Sequence, residues 1–347
     1  MSAISLRELA VTFPDGTKGL QNINLDIAPH EFIALVGPSG SGKTTLLRTI
    51  AGFIHPSEGA VHVGGKDLTG VSPESRGMGM VFQQHAVWPH MNVASNVGYP
   101  LKFTKDSAAT RKDKVNRTLS LVGLDGFATR KPGSLSGGQR QRVALARAIV
   151  ADPTVLLLDE ALSALDEPLR DNLRRELVAL TKREGLTTVH VTHDRSEALA
   201  IADRIVVLQN GRIEQVSTPE ELLIRPKSAA VAGFISDATI FPAELNTDGA
   251  YSPDLDTSWS SDLIEHSDST NNGRSVQLAV LPADTQLVSP GTQGAIDATI
   301  ESVLFERDRF SITAKAGAHT FRTTSSQRPG IGDAVGIIPT RLLSYPN

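Results

Sequence analysis

Along the first two thirds of the chain, apolar positions fall into short runs that switch period again and again. Ile4 to Phe13 and Gly19 to Ile27 alternate apolar and polar residues around Pro14-Asp15-Gly16, which predicts an antiparallel hairpin. Glu31 to Val36 is a continuous apolar run and predicts a buried strand, while Thr45 to Ala51 places Leu46, Leu47 and Ile50 at helical spacing. Met78 to Phe82 is a further strand that ends at Gln83. From about 92 to 150 the pattern turns helical. Ser107 to Val122 is charged, with Val115, Leu119 and Val122 on one face, and Ser136 opens a longer helix, Gly137 to Val150, that stops before Asp152-Pro153.

Val155 to Leu158 is then an apolar run closed by Asp159-Glu160, as a buried parallel strand reads. Leu169, Leu173, Leu177 and Leu180 recur at helical spacing after Pro168, and a strand follows at Thr187 to Thr192. Asp194 with Glu197 predicts a capped short helix, Asn210-Gly211 a hairpin between Ile205–Gln209 and Arg212–Val216, and Thr218-Pro219-Glu220-Glu221 a last helical piece. Strands alternating with helices predict a mostly parallel sheet covered on both faces. Beyond it, residues 247 to 274 are rich in Ser, Asp, Asn and Gly and read as loop. Ser275–Leu281, Ala295–Leu304, Arg309–Lys315 and Ala334–Pro339 read as short strands of a small β-barrel-like domain.

Charge supports this division. Of 34 Lys and Arg and 38 Asp and Glu, 7 and 14 fall from Asp237 onward, leaving 27 and 24 before it. The predicted domains are therefore 1–235 and 236–347. With 40% hydrophobic and 21% charged residues the chain has the composition of a globular protein, and it contains no apolar run of about eighteen residues that would span a bilayer. Met1 to Ala10 lack the pattern of a secretory leader. Zero cysteines exclude disulfides and thiolate metal sites, and a net charge of −4 argues against a nucleic-acid binder.

The chemistry begins at Gly37-Pro38-Ser39-Gly40-Ser41-Gly42-Lys43-Thr44, which fits G-x-x-x-x-G-K-[ST] between a predicted strand and helix. The glycines let backbone N–H groups turn inward, the helix N-terminus favours anionic oxygens, Lys43 adds a charge near the terminal phosphates, and the Thr44 hydroxyl is placed to ligate Mg²⁺. Such a loop needs a second carboxylate site. Asp159 would hold the metal, directly or through water, and Glu160 would orient or deprotonate the attacking water.

Leu135-Ser136-Gly137-Gly138-Gln139, followed by Arg140-Gln141-Arg142, resembles the signature motif of ATP-binding cassette (ABC) ATPases. The resemblance extends from residue 1 to about 235. It implies that Phe13 stacks on adenine, although a strand-face core Phe is the other reading, and that Thr45 joins the ATP-binding loop. It further implies that Gln83 reaches Mg²⁺ and senses a transmembrane partner, that Ser163-Ala164-Leu165-Asp166 is the D-loop at the facing subunit, and that His193 contacts the γ-phosphate. In that family two copies face head to tail, so Ser136, Gly137, Gly138 and Gln139 of one copy close over ATP in the cradle of the other. Closure drives separate membrane permease subunits, a substrate-binding protein takes part indirectly, and the ATPase sits peripherally on the cytoplasmic face. Ala86 to His90 is the expected permease-docking segment, with Trp88 readable equally as a local core anchor.

The chain departs from the family where Ala161 follows Glu160 in place of the usual Pro, and where His30 replaces a common Gly. One cassette without a membrane domain, followed by a small β domain, resembles importer ATPases for sugars, polyamines, sulfate and ferric iron. Ala230 to Asn246 looks most like the ferric importers, which makes iron or a related small ion the expected cargo, with polyamine, sulfate or sugar as alternatives. Leu281-Pro282-Ala283 stands where those tails commonly have Arg-Pro-Glu. A soluble ABC ATPase acting on nucleic acid would need a basic face or a coiled-coil insert, and a metabolic P-loop kinase would leave the signature without a task.

Overall fold

A computed structural model describes residues 4–83, 86–162, 167–266, 275–306 and 308–347. The chain divides into two compact units, 1–219 and 220–347. The divide falls before the change of composition near 236.

In the first unit, β1 (Ile4–Thr12) and β2 (Lys18–Ile27) form the expected antiparallel hairpin. β3 (Phe32–Val36) follows, then α1 (Lys43–Ala51) and the hairpin β4 (Glu58–Val63) and β5 (Lys66–Asp67). β6 (Met78–Val81) leads to the helical insert, made of α2 (Val93–Val97), α3 (Ala108–Leu121) and α4 (Gly137–Ile149). β7 (Val155–Asp159), α5 (Glu167–Arg183), β8 (Thr187–Val191), α6 (Arg195–Ile201), β9 (Arg204–Gln209) and β10 (Arg212–Ser217) complete the unit.

The strands form two sheets. One is antiparallel, in the order β2-β1-β4-β5; the other, β10-β9-β3-β8-β7-β6, is parallel except for the β9–β10 hairpin. β3, β7 and β8 are buried at every position, which is why they read as unbroken apolar runs. Alternation survives within that burial. Val155 and Leu157 face a core with α1 and the antiparallel sheet, whereas Leu156 and Leu158 face one built by the insert and α5. Leu46, Leu47 and Ile50 of α1 are fully buried, each stabilising the fold by roughly 1.5–3 kcal/mol.

Register positions the functional edge. Leu35 and Asp159 both pair with Val191, and Val81 pairs with Leu158, so β3, β6, β7 and β8 end side by side. The segments leaving those ends are 37–44, Gln83, Glu160 and Thr192–His193.

The second unit contains α7 (from Pro219 to Ile224), α8 (Ala229–Ser236) and an all-β domain. β11 (Thr239–Leu245), β12 (Gly249–Ser252), β13 (Thr257–Ser260), β14 (Ile264–His266), β15 (Ser275–Val280) and β21 (Leu342–Pro346) belong to one sheet. β16 (Thr285–Val288), β17 (Ile296–Glu306), β18 (Arg309–Ala316), β19 (His319–Ser325) and β20 (Ala334–Pro339) belong to the other. Phe241, Trp259, Leu278, Ile312 and Phe321 from both sheets share a core. Within the stretch expected to be loop, 249–266 holds three short strands. Most of their outward positions are polar, and Ala250 opposite Trp259, with Ile264, marks the buried side. α8 packs Ala229 and Ala232 against Ala279, Leu343 and Tyr345 of the second unit, which explains the early divide.

Candidate functional site

The loop between β3 and α1 is shaped by glycines that nothing larger replaces. A Cβ on Gly37 would collide with the Leu208 carbonyl, and Gly42, at φ 103, caps α1 with its Cα facing the Gly19 carbonyl. Gly211 N–H donates to Ser41 O at 3.0 Å, so the Asn210-Gly211 turn braces the cradle from outside. Pro38, Ser39 and Gly40 are exposed at its rim, with Gly40 at φ 77.

Lys43 is only 4% exposed. Its ammonium donates to the carbonyls of Gly37 (2.8 Å) and Pro38 (2.9 Å) and approaches Ser41 Oγ at 3.4 Å. Burial lowers its pKa, and Glu160 opposes that shift. The ammonium is thus held by neutral oxygens at the mouth of an N–H-rich loop, an arrangement that suits a phosphate.

Asp159, also buried, accepts from Thr44 Oγ1 at 3.5 Å and from Arg48 Nη2 at 3.4 Å. Burial raises its pKa, with Glu160 adding and Arg48 and Thr44 opposing. Among the described residues no cluster of three or more His, Cys, Asp or Glu would hold a metal ion alone. Thr44 and Asp159 offer two adjacent oxygens, so they fit Mg²⁺ that takes its remaining ligands from phosphate and water.

Glu160 follows with φ 49, a left-handed conformation uncommon for a non-glycine, held by its N–H bond to Val191 O. Its carboxylate accepts from Gln83 Nε2 at 2.6 Å and meets His193 Nε2 at 2.5 Å. Gln83, for which the resemblance implies a reach to Mg²⁺, donates its amide to the Glu160 carboxylate beside Asp159. Phe13 packs at the edge of the β1–β2 core; a Cβ on Gly19 would lie 2.7 Å from Phe13 Cε2 and 3.2 Å from Thr45 Cγ2, so Phe13 and Thr45 border the same spot beside the cradle.

The signature residues are built separately. Ser136 is the N-cap of α4, and Ser136 and Gln139 bond reciprocally as a capping box; Ser136 is exposed and Gly138 buried. Asp166 and the rest of 163–166 lie outside the described residues. Trp88 makes local anchoring contacts: it packs at a tilt against Tyr99 with ring centroids 4.4 Å apart, exchanges bonds with Asn96 and lies under the Arg147 guanidinium. His30 takes φ 64, which explains the glycine common there, and its Nδ1 bonds Gly185 O at 2.5 Å.

Several working contacts have no local mark in the sequence. Arg48 on Asp159 and Gly211 on Ser41 each join residues far apart in the chain, although Asn210-Gly211 is legible as a turn.

A glycine loop between a parallel strand and a helix, with Asp-Glu at the end of another strand, defines a P-loop nucleotide hydrolase. The family model described as ABC transporter matches residues 20–163. The spermidine/putrescine import ATP-binding protein PotA of Borreliella afzelii is 40% identical over 324 residues, covering 93% of this chain and 91% of the relative. The sulfate/thiosulfate import ATP-binding protein CysA of Synechocystis sp. is 41% identical over 304 residues, covering 87% and 81%. A bacterial ABC transporter cassette solved as a dimer superposes with a TM-score of 0.56 at 33% identity, over 62% of this chain and 98% of that one. The chain belongs to the ABC transporter family, as an import ATP-binding subunit whose reaction is ATP hydrolysis coupled to transport. Among the described residues no helix is long and apolar enough to cross a membrane.

Proposed function

We propose that Gly37 to Thr44 bind the ATP phosphates and that Glu160 activates the attacking water. The observation carrying this reading is the meeting of Lys43, the Thr44–Asp159 pair and the Gln83–Glu160–His193 chain along one sheet edge. Lys43 leaves the loop carbonyls for phosphate oxygens; Thr44 and Asp159 would hold Mg²⁺, which would offset negative charge on the phosphoryl groups. Gln83 and His193 hold the Glu160 carboxylate from either side until His193 turns to the γ-phosphate. Phe13 stacks on adenine, and Thr45 adds to the loop that binds ATP.

The other half of the site comes from a second copy, through its Ser136 to Gln139 and its Asp166 segment. Permease subunits dock near Ala86 to His90, placing the protein on the cytoplasmic face of the membrane, where a substrate-binding protein acts through them. Ferric iron, expected from residues 230–246, draws no support from the polyamine and sulfate relatives. Polyamine is the better reading for the cargo, since the relative named for it matches over 93% of this chain, and sulfate is the second.

Glu160→Gln tests the site: ATP should stay bound and unhydrolysed in a stable dimer, and wild-type turnover would refute the role. Uptake of labelled spermidine, against sulfate and ferric ion, by vesicles carrying the permease and this subunit tests the cargo. Uptake of ferric ion alone would reverse that choice.

A further inference from the structure

His193 lies on a short connection, and its side chain is 53% exposed. A half-exposed ring on a loop does not by itself hold a 2.5 Å contact with Glu160; the residues on either side of it do. Thr192 is buried, and its Oγ1 accepts from Asp194 N–H at 3.0 Å while donating to Glu197 Oε2 at 2.8 Å. Asp194 Oδ1 caps α6 by accepting from Glu197 N–H at 3.0 Å. Glu197 is 2% exposed, and its other oxygen meets His190 Nε2 at 3.2 Å. Against burial, which raises its pKa, the bonds from His190 and Thr192 and the nearby Arg174 hold Glu197 below its ordinary value.

One side chain reaches this assembly from a different element. Arg174 of α5, 8% exposed, donates to Asp194 Oδ2 at 2.8 Å and to Asp171 at 2.9 Å, and its Nε lies 4.0 Å from Glu197 Oε1. Arg170, one turn earlier on α5, approaches the same Asp194 oxygen at 3.6 Å. A planar guanidinium with several donors is suited to spanning two carboxylates, which a single ammonium does less well. Both neighbours of His193 in the chain are thereby fixed from α5 and α6.

We propose that Arg174 is a positioning residue for His193, acting through Asp194 and Glu197, so that a movement of α5 changes the setting of His193 against Glu160. The inference rests on the reading of His193 given above. Because α5 begins at Glu167, directly after the 163–166 segment, the tether offers a path by which an event at that segment is felt at the catalytic edge of the same chain.

The test uses the full chain. Arg174→Ala should lower kcat by on the order of 10- to 100-fold, as small misplacements of a reacting group do, while the ATP KM and the affinity for a fluorescent ATP analogue stay within about twofold. Arg174→Lys should recover part of kcat. With histidine rings labelled, the His193 resonance, assigned by its loss in His193→Ala, should shift in Arg174→Ala while those of His62 and His319 do not. If Arg174→Ala does not fold, Asp194→Asn, which keeps the α6 cap oxygen and weakens the ion pair, should give the same kcat loss and the same His193 shift.

An unmoved His193 resonance, a loss carried wholly by KM, or Arg174→Lys no better than Arg174→Ala would overturn the proposal. Failure of the underlying reading appears separately, as a His193→Ala protein with wild-type turnover.

Discussion

The cradle and the signature are both glycine-rich helix starts, yet they are built in opposite ways. Gly37 to Thr44 takes its shape from distant chain: Leu208 behind Gly37, Gly19 behind Gly42, Gly211 on Ser41, and Asp159 on Thr44. The signature is a local device in which Ser136 and Gln139 satisfy each other within four residues. One is an organ of the whole unit, the other a cap that any helix could wear. The difference suggests that damage to the first should disturb events within one copy, and damage to the second only events that need two.

The sharpest way to break that contrast is Glu160→Gln. Removing the group proposed to activate water should reduce turnover by about 10²- to 10⁴-fold with ATP retained, read by a phosphate-release assay. Lys43→Met comes next: losing a charge-assisted bond to phosphate, worth about 1.5–3 kcal/mol, should weaken ATP binding roughly 10- to 100-fold in a single copy, measurable by calorimetry. Ser136→Ala should leave single-copy ATP binding intact and abolish nucleotide-driven dimerisation in sedimentation. Its lost cap costs about 1 kcal/mol, a fall in Tm of roughly 2–4 °C.

Asp159→Asn separates binding from folding. Burial raises the Asp159 pKa in the folded state, so its charge destabilises the fold at pH above that raised value. The substitution should therefore raise the Tm of the nucleotide-free protein at pH 7 to 8, and the gain should shrink as the pH falls through the raised value and vanish below the ordinary Asp value of about 3.9, where the carboxyl is protonated in both states. Smallest is His30. His30→Ala keeps the left-handed strain and loses the Gly185 bond, costing about 1 kcal/mol in urea unfolding, whereas His30→Gly should stay within about 0.5 kcal/mol of wild type.

The same contrast explains what was legible in the sequence. Val155 to Leu158 and Phe32 to Val36 could be read as strands because burial on both faces leaves an unbroken apolar run. The cradle could be read because its chemistry needs glycines at fixed spacing. Contacts made by folding could not: nothing near Arg48 announces Asp159, nor does anything near Arg174 announce Asp194. The strands at 249–266 were hidden by polar outward faces, β16 and β21 by lengths of four and five residues, and β19 because only Phe321 and Thr323 in it are buried, too few to establish a period. The hydrogen bond from Gln83 to Glu160 likewise joins residues 77 apart in the chain and leaves no mark near either.

Glu160 weighs against the stability of the fold in two ways. Its left-handed backbone costs about 1–2 kcal/mol that glycine would avoid, and its carboxylate also crowds buried Asp159. Selection for stability alone would discard it. If Glu160 activates water as proposed, a duplicate copy released from hydrolysis should drift first at this position, towards glycine or a neutral residue.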